Sequence, residues 1–129
     1  MSKTIKIPGP DHPIDITPAG VRVVIKVDGR VIADSSSALV LREASYAPVF
    51  YIPRADADMA ALERSEHATY CPYKGDCSYF SIAAAGERGN NAVWTYEAPY
   101  AAVASIAGHL AFYPDRVDGI ETRQLGSVG

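Results

Sequence analysis

The sequence predicts a mostly β, α+β fold built from compact, bent antiparallel sheets, with one short and one longer helix. Three observations point there: period-two apolar patterning in short runs, closely spaced turn signals, and the lack of any repeated strand–long-helix unit. No repeat at solenoid or propeller spacing interrupts this order. The 129 residues, 48% hydrophobic and 21% charged, suit one globular domain able to bury about two thirds of its unfolded surface.

The chain opens on Pro8, Pro10, Pro13 and Pro18, which predict an extended arm over residues 1–20 with a short strand at Ile14–Thr17. The single domain is expected to span 21–121, with a frayed tail over 122–129. Val21, Val23, Ile25 and Val27 alternate and predict a half-buried strand. Asp28-Gly29 supplies a two-residue hairpin turn, and Arg30–Ala33 returns as its partner. A third strand, Ala38–Arg42, places Leu39 and Leu41 on one face and Val40 on the other.

Prolines bracket the aromatic strand Val49–Ile52 and keep it short or at a sheet edge. Asp56 or Asp58 is expected to cap a short helix reaching about Arg64, with Met59 and Leu62 facing inward. Cys71–Gly75 reads as a turn before a strand at Ser78–Ala83, where Tyr79 and Ser81 oppose Phe80 and Ile82. Gly86–Asn91 reads as a loop and Ala92–Tyr96 as a strand. Pro99, the alanines and the spacing of Ala102, Val103, Ile106 and Leu110 predict the longer helix over Ala98–His109, ending near Gly108. Leu110–Tyr113 and Val117–Glu121 complete the strands.

Composition excludes several function classes. A net charge of −3, from 12 Lys+Arg against 15 Asp+Glu, with no basic cluster, argues against nucleic acid as a partner. No run of 18 apolar residues and no apolar core in Met1–Pro10 predicts neither a membrane span nor a signal peptide, hence a cytoplasmic protein. Cys71 and Cys77 are then expected as thiols. His67, Cys71 and Cys77 lack zinc-ligand spacing, and Gly86-Glu87-Arg88-Gly89 is too short to cradle a phosphate. No metal and no cofactor is implied.

What remains is chemistry around His67–Tyr79. Lys74 offers a positive point charge, Thr69, Tyr73 and Tyr79 offer hydroxyls, and Cys71 is a nucleophile if Lys74 or His67 favours its thiolate. Free cysteines are commonly buried small hydrophobes, and that is the simpler role for Cys71. A second group joins Arg42 and Glu43 to Tyr51 and Arg54, where an arginine fork can grip an anion or simply pair with Glu43 or Asp56. Trp94 and Tyr96 share a strand face and can stack on a planar ligand or fill the core. His109, after an apolar segment, reads as a structural histidine. Eight tyrosines against three phenylalanines suit pocket walls as well as strand cores.

The stretches Val31-Ile32-Ala33-Asp34-Ser35, Tyr51-Ile52-Pro53-Arg54-Ala55-Asp56 and Thr69-Tyr70-Cys71-Pro72-Tyr73-Lys74-Gly75 carry a family resemblance. It continues through Asn91-Ala92-Val93-Trp94-Thr95-Tyr96 and Ile106-Ala107-Gly108-His109-Leu110-Ala111-Phe112-Tyr113. The chain resembles the DUF427 family, also labelled a nucleotidyltransferase-type domain, over roughly 21–117. The resemblance implies a compact β domain related to the bent two-sheet β-tent arrangement. It also implies a shared pocket drawn from Arg54, Cys71, Tyr73, Lys74, Trp94, Tyr96 and Tyr113. The chain departs from it by placing Cys77 where a small residue is usual, and lacks the four cysteines with which some similar folds hold zinc. It shows neither the paired carboxylates nor the phosphate grip that metal-dependent nucleotidyl transfer needs.

Three functions follow as expectations. The first is binding of a small anionic or planar polar metabolite in an aromatic-lined pocket, with or without catalysis by Cys71 and Lys74. The second is a thiol enzyme using Cys71. The third is a noncatalytic interaction module, a homodimer through Tyr46, Phe50 and Tyr51.

Overall fold

A computed structural model describes residues 3–125. Ten strands run in chain order: β1 (Ile14–Pro18), β2 (Val21–Val27), β3 (Arg30–Ser35), β4 (Leu39–Glu43) and β5 (Val49–Pro53) come first. β6 (Leu62–Cys71), β7 (Gly75–Ile82), β8 (Val93–Thr95), β9 (His109–Phe112) and β10 (Gly119–Gln124) follow. Every pairing is antiparallel. A seven-stranded sheet has the order β1-β4-β5-β9-β8-β7-β6, and a three-stranded sheet has the order β10-β2-β3. The predicted mostly β, antiparallel architecture is the one observed.

Strand alternation sorts the large sheet into two chemically different faces. Ile52, Phe80, Ile82, Val93, Leu110 and Phe112 join Val23, Ile25, Val27 and Ile32 of the small sheet in one buried aliphatic core. Their neighbours one residue away, Tyr51, Tyr79 and Ala111, join Leu41, Cys77 and Tyr96 in a second cluster on the opposite face, with Trp94 and Tyr113 packed against it. The first face closes the domain, and the second carries the rings.

The Asp28-Gly29 turn is as predicted: φ values of 52° and 75° are those of the two-residue hairpin that matches strand twist. Thr122, Arg123 and Gln124, expected to fray, instead pair with Val23, Arg22 and Val21. Residues 126–129 of that expected tail lie outside the described residues. Pro53 keeps β5 short, yet β5 is an interior strand between β4 and β9.

Both predicted helical regions are helical, but as tight 3-10 turns. The short one comprises Arg54–Asp56 and Met59–Ala61 and stops before Arg64. Neither carboxylate caps it: Asp56 accepts from Ser35 Oγ at 2.6 Å, and Asp58 binds Arg30 at 2.5 Å. The longer one is Ala101–Ile106, broken at Val103 by φ −126°, with Val103 and Ile106 buried three residues apart. Leu110, whose spacing continued the helical pattern, lies in β9, as the strand expected at Leu110–Tyr113 requires.

Strand β6 was not foreseen in the sequence. Its residues Glu63, Arg64, Glu66, His67, Ala68 and Thr69 are exposed, because an edge strand solvated on both faces needs no apolar alternation. Among the described residues, no helix is long and apolar enough to cross a membrane.

Candidate functional site

Pairing across the large sheet places a small residue between two large ones. Ile52 lies opposite Leu110 and Trp94 opposite Ala111, so Ala111 sits between Tyr51 and Trp94. A methyl group cannot fill the space between rings of that size. The Trp94 indole N–H crosses it to donate to the Tyr51 hydroxyl at 3.2 Å, the two rings meeting edge-on at 88°. Tyr113 lies against Trp94 at 4.5 Å between ring centroids. The result is a hollow of about 270 Å³ walled by Tyr51, Tyr79, Trp94, Tyr96 and Tyr113, with Leu41 and Val49 at one side and Tyr46 and Ala47 from the β4–β5 loop.

Charge enters from the β6–β7 hairpin. The Cys71–Gly75 segment is the predicted turn: Cys71 pairs with Gly75, the Lys74 N–H donates to Cys71 O at 3.2 Å, and Gly75 adopts φ +109°. Lys74 is buried there and lines the hollow, its Nζ 5.9 Å from the Tyr96 ring centroid. It donates to Glu43 Oε1 at 2.5 Å. The other oxygen of Glu43 meets His12 Nε2 at 2.7 Å, and the His12 ring stacks on Tyr73 at 4.0 Å. Burial pushes the Glu43 carboxyl up, but hydrogen bonds from Lys74 and His12 outweigh it and hold the group below its ordinary value.

The hydroxyls of Tyr51, Tyr79 and Tyr96 stay neutral. Burial pushes Tyr79 up to about 12 and drives Tyr51 and Tyr96 upward as well. At neutral pH each of these hydroxyls is therefore a donor and an acceptor rather than an anion. The wall combines aromatic faces, neutral hydroxyls and one self-compensated ion pair.

The predicted site residues divide clearly. Lys74, Tyr79, Trp94, Tyr96 and Tyr113 converge on the hollow. Thr69 stands beside it on β6, its hydroxyl 2.9 Å from the Tyr79 hydroxyl. Tyr73 is turned to His12 and lines a separate surface depression with Lys6 and Asp11. Arg54 is elsewhere: it shares Glu97 with Arg64, and its guanidinium lies 5.4 Å from the ring of Phe80 in the aliphatic core. Cys71 is a half-buried free thiol packed against the ring cluster and is not part of the hollow's lining. Cys77 is also free and is buried, and burial raises its thiol. Among the described residues, no three His, Cys, Asp or Glu side chains gather to hold a metal ion.

A family model described as a domain of unknown function (DUF427) matches residues 15–123. The chain belongs to the DUF427 family. No curated protein matches it. The matched span holds the ring-lined face and Lys74 with Glu43, and leaves His12 just outside it.

Two residues around Lys74 have roles that spacing along the chain does not reveal. Glu43 was paired with Arg42 or Arg54, although its parity with Leu39 and Leu41 already puts it on the ring face, while Arg42 is exposed. His12 sits in the proline-rich arm, and its approach to Glu43 depends on β1 pairing with β4.

Proposed function

We propose that this domain binds a small planar polar metabolite in the ring-lined hollow. One observation carries the reading: the Lys74–Glu43 pair is held at the wall of a cavity otherwise lined by aromatic rings, tyrosine hydroxyls and the aliphatic side chains of Leu41, Ala47 and Val49. Tyrosine and tryptophan rings favour flat apolar faces, while Lys74 and Glu43 together present a donor and an acceptor to a ring edge. Glu43 already compensates the ammonium, which favours a neutral polar ring over a simple anion.

Cys71 lies off this cavity, so binding rather than thiol chemistry is the reading supported. The domain is taken to work in the cytoplasm on a small molecule, without nucleic acid or membrane as partner, and the homodimer is secondary to ligand binding. Tyr51 is only 2% exposed, which removes one of the three side chains that such a dimer would offer.

The test is a titration of the full chain with uracil, nicotinamide and phenol, following amide resonances and the Trp94 indole N–H. Saturable shifts at Trp94 and Lys74, weakened in Lys74→Met, are expected. Shifts confined to other surfaces, or none at millimolar ligand, would rule the reading out.

A further inference from the structure

Two of the hollow's rings have a second space beside them. Tyr79 and Tyr113 also line a second, wider depression of about 650 Å³, so the same two rings border both spaces. The hollow alone falls just below the roughly 300–1,000 Å³ usual for ligand sites. With the shelf added, there is room for a second ring-sized group.

The shelf is chemically unlike the hollow. Glu87, Asn90, Asn91, Asp115, Arg116 and His67 form its lining. Two carboxylates against one guanidinium leave it no net positive charge to attract a phosphate. Its frame is tied down: Arg116 donates to the backbone carbonyls of Asn90 and Arg88 at 3.1 and 3.3 Å. Asn91, at φ +53°, donates its backbone N–H to Ser81 Oγ at 3.0 Å. Ser65 Oγ donates to the Asn91 side-chain oxygen at 2.5 Å, which leaves the amide N–H groups of that side chain as donors.

Resting on the planar-ring reading above, we infer that the ligand is a planar ring bearing a neutral polyhydroxylated group, an aryl or nucleobase glycoside. The ring enters the hollow and the hydroxyls lie on the shelf. Vicinal hydroxyls both donate and accept, which matches amides and carboxylates held side by side. The C–H faces of a sugar suit the Tyr79 and Tyr113 rings that border both spaces.

The experiment compares uridine with uracil, phenyl glucoside with phenol, and uridine with uridine monophosphate, each titrated into the full chain and read by amide shifts. The glycosides are expected to bind about tenfold more tightly than their aglycones, a gap of about 1.4 kcal/mol. Shifts at Asn90, Asn91 and Asp115 should accompany the glycosides only, and Asn90→Ala and Asp115→Ala should close the gap. If glycosides bind no more tightly than aglycones while Trp94 still responds, the shelf inference falls and the hollow's reading stands. If the monophosphate binds more tightly than uridine, the shelf is an anion site and the inference is overturned. If neither aglycone nor glycoside moves Trp94, both readings fall together.

Discussion

Lys74 and Glu43 lie 31 residues apart in sequence, yet meet at 2.5 Å with side chains only 11% and 13% exposed. The pair joins the β6–β7 turn to the last residue of β4, across the same face on which the rings are gathered. It is both a structural tie and the polar edge of the hollow.

Removing one partner should therefore cost more than removing both. Breaking a buried ion pair from one side costs about 3–5 kcal/mol. Lys74→Met should fall slightly below that range, at about 2–4 kcal/mol, because His12 still serves Glu43. The double variant Lys74→Met/Glu43→Leu should recover most of the loss. Urea unfolding at pH 7 measures all three.

The same carboxylate predicts a pH dependence. A folded-state value held below the unfolded one contributes stability that is complete above the unfolded value of about 4.3 and fades as pH falls through the folded value. The stability difference between the native chain and Glu43→Gln should shrink as pH falls below about 4. Unfolding curves recorded across that range supply the comparison.

The two thiols should separate by alkylation rate. Cys77 is 2% exposed and its thiol is raised by burial, whereas Cys71 is half-buried. In the folded chain at pH 7.5, iodoacetamide should modify Cys71 more than about tenfold faster than Cys77, and the difference should vanish in denaturant. Peptide mass spectrometry reads both sites.

Tyr51→Phe deletes the acceptor of the Trp94 indole N–H without changing the ring. A loss of about 0.5–1.5 kcal/mol is expected, with a change in Trp94 fluorescence as the indole meets solvent instead. Chemical unfolding followed by emission gives both values.

Gly75→Ala should disturb the turn that carries Lys74. The position has φ +109°, and an added Cβ would meet only ordinary contacts, the nearest being Ala98 O at 3.6 Å. The cost is then conformational, about 1–2 kcal/mol, visible in thermal unfolding.

Much of this was legible in the sequence where one face is buried. The alternation of Val21–Val27 and the shared face of Trp94 and Tyr96 follow from period-two patterning, and the Asp28-Gly29 turn from its residue types. Lys74 could be placed at a turn and among rings. The strand Leu62–Cys71 was hidden because exposure on both faces erases the pattern, and Ala101–Ile106 looked α-helical because Leu110 extends its spacing by accident. Arg54 was misassigned since its partner Glu97 lies 43 residues away. Which carboxylate meets Lys74 depends on β4 lying on the far side of β5 and β9, a fact of topology that spacing does not carry.

The most direct test is a crystal of the chain soaked with the tightest-binding planar compound. Density for a flat ring within the hollow, beside Tyr51 and Trp94 with its polar edge on Lys74 and Glu43, is the predicted result. A ring bound at another surface while the hollow holds only water would contradict the account.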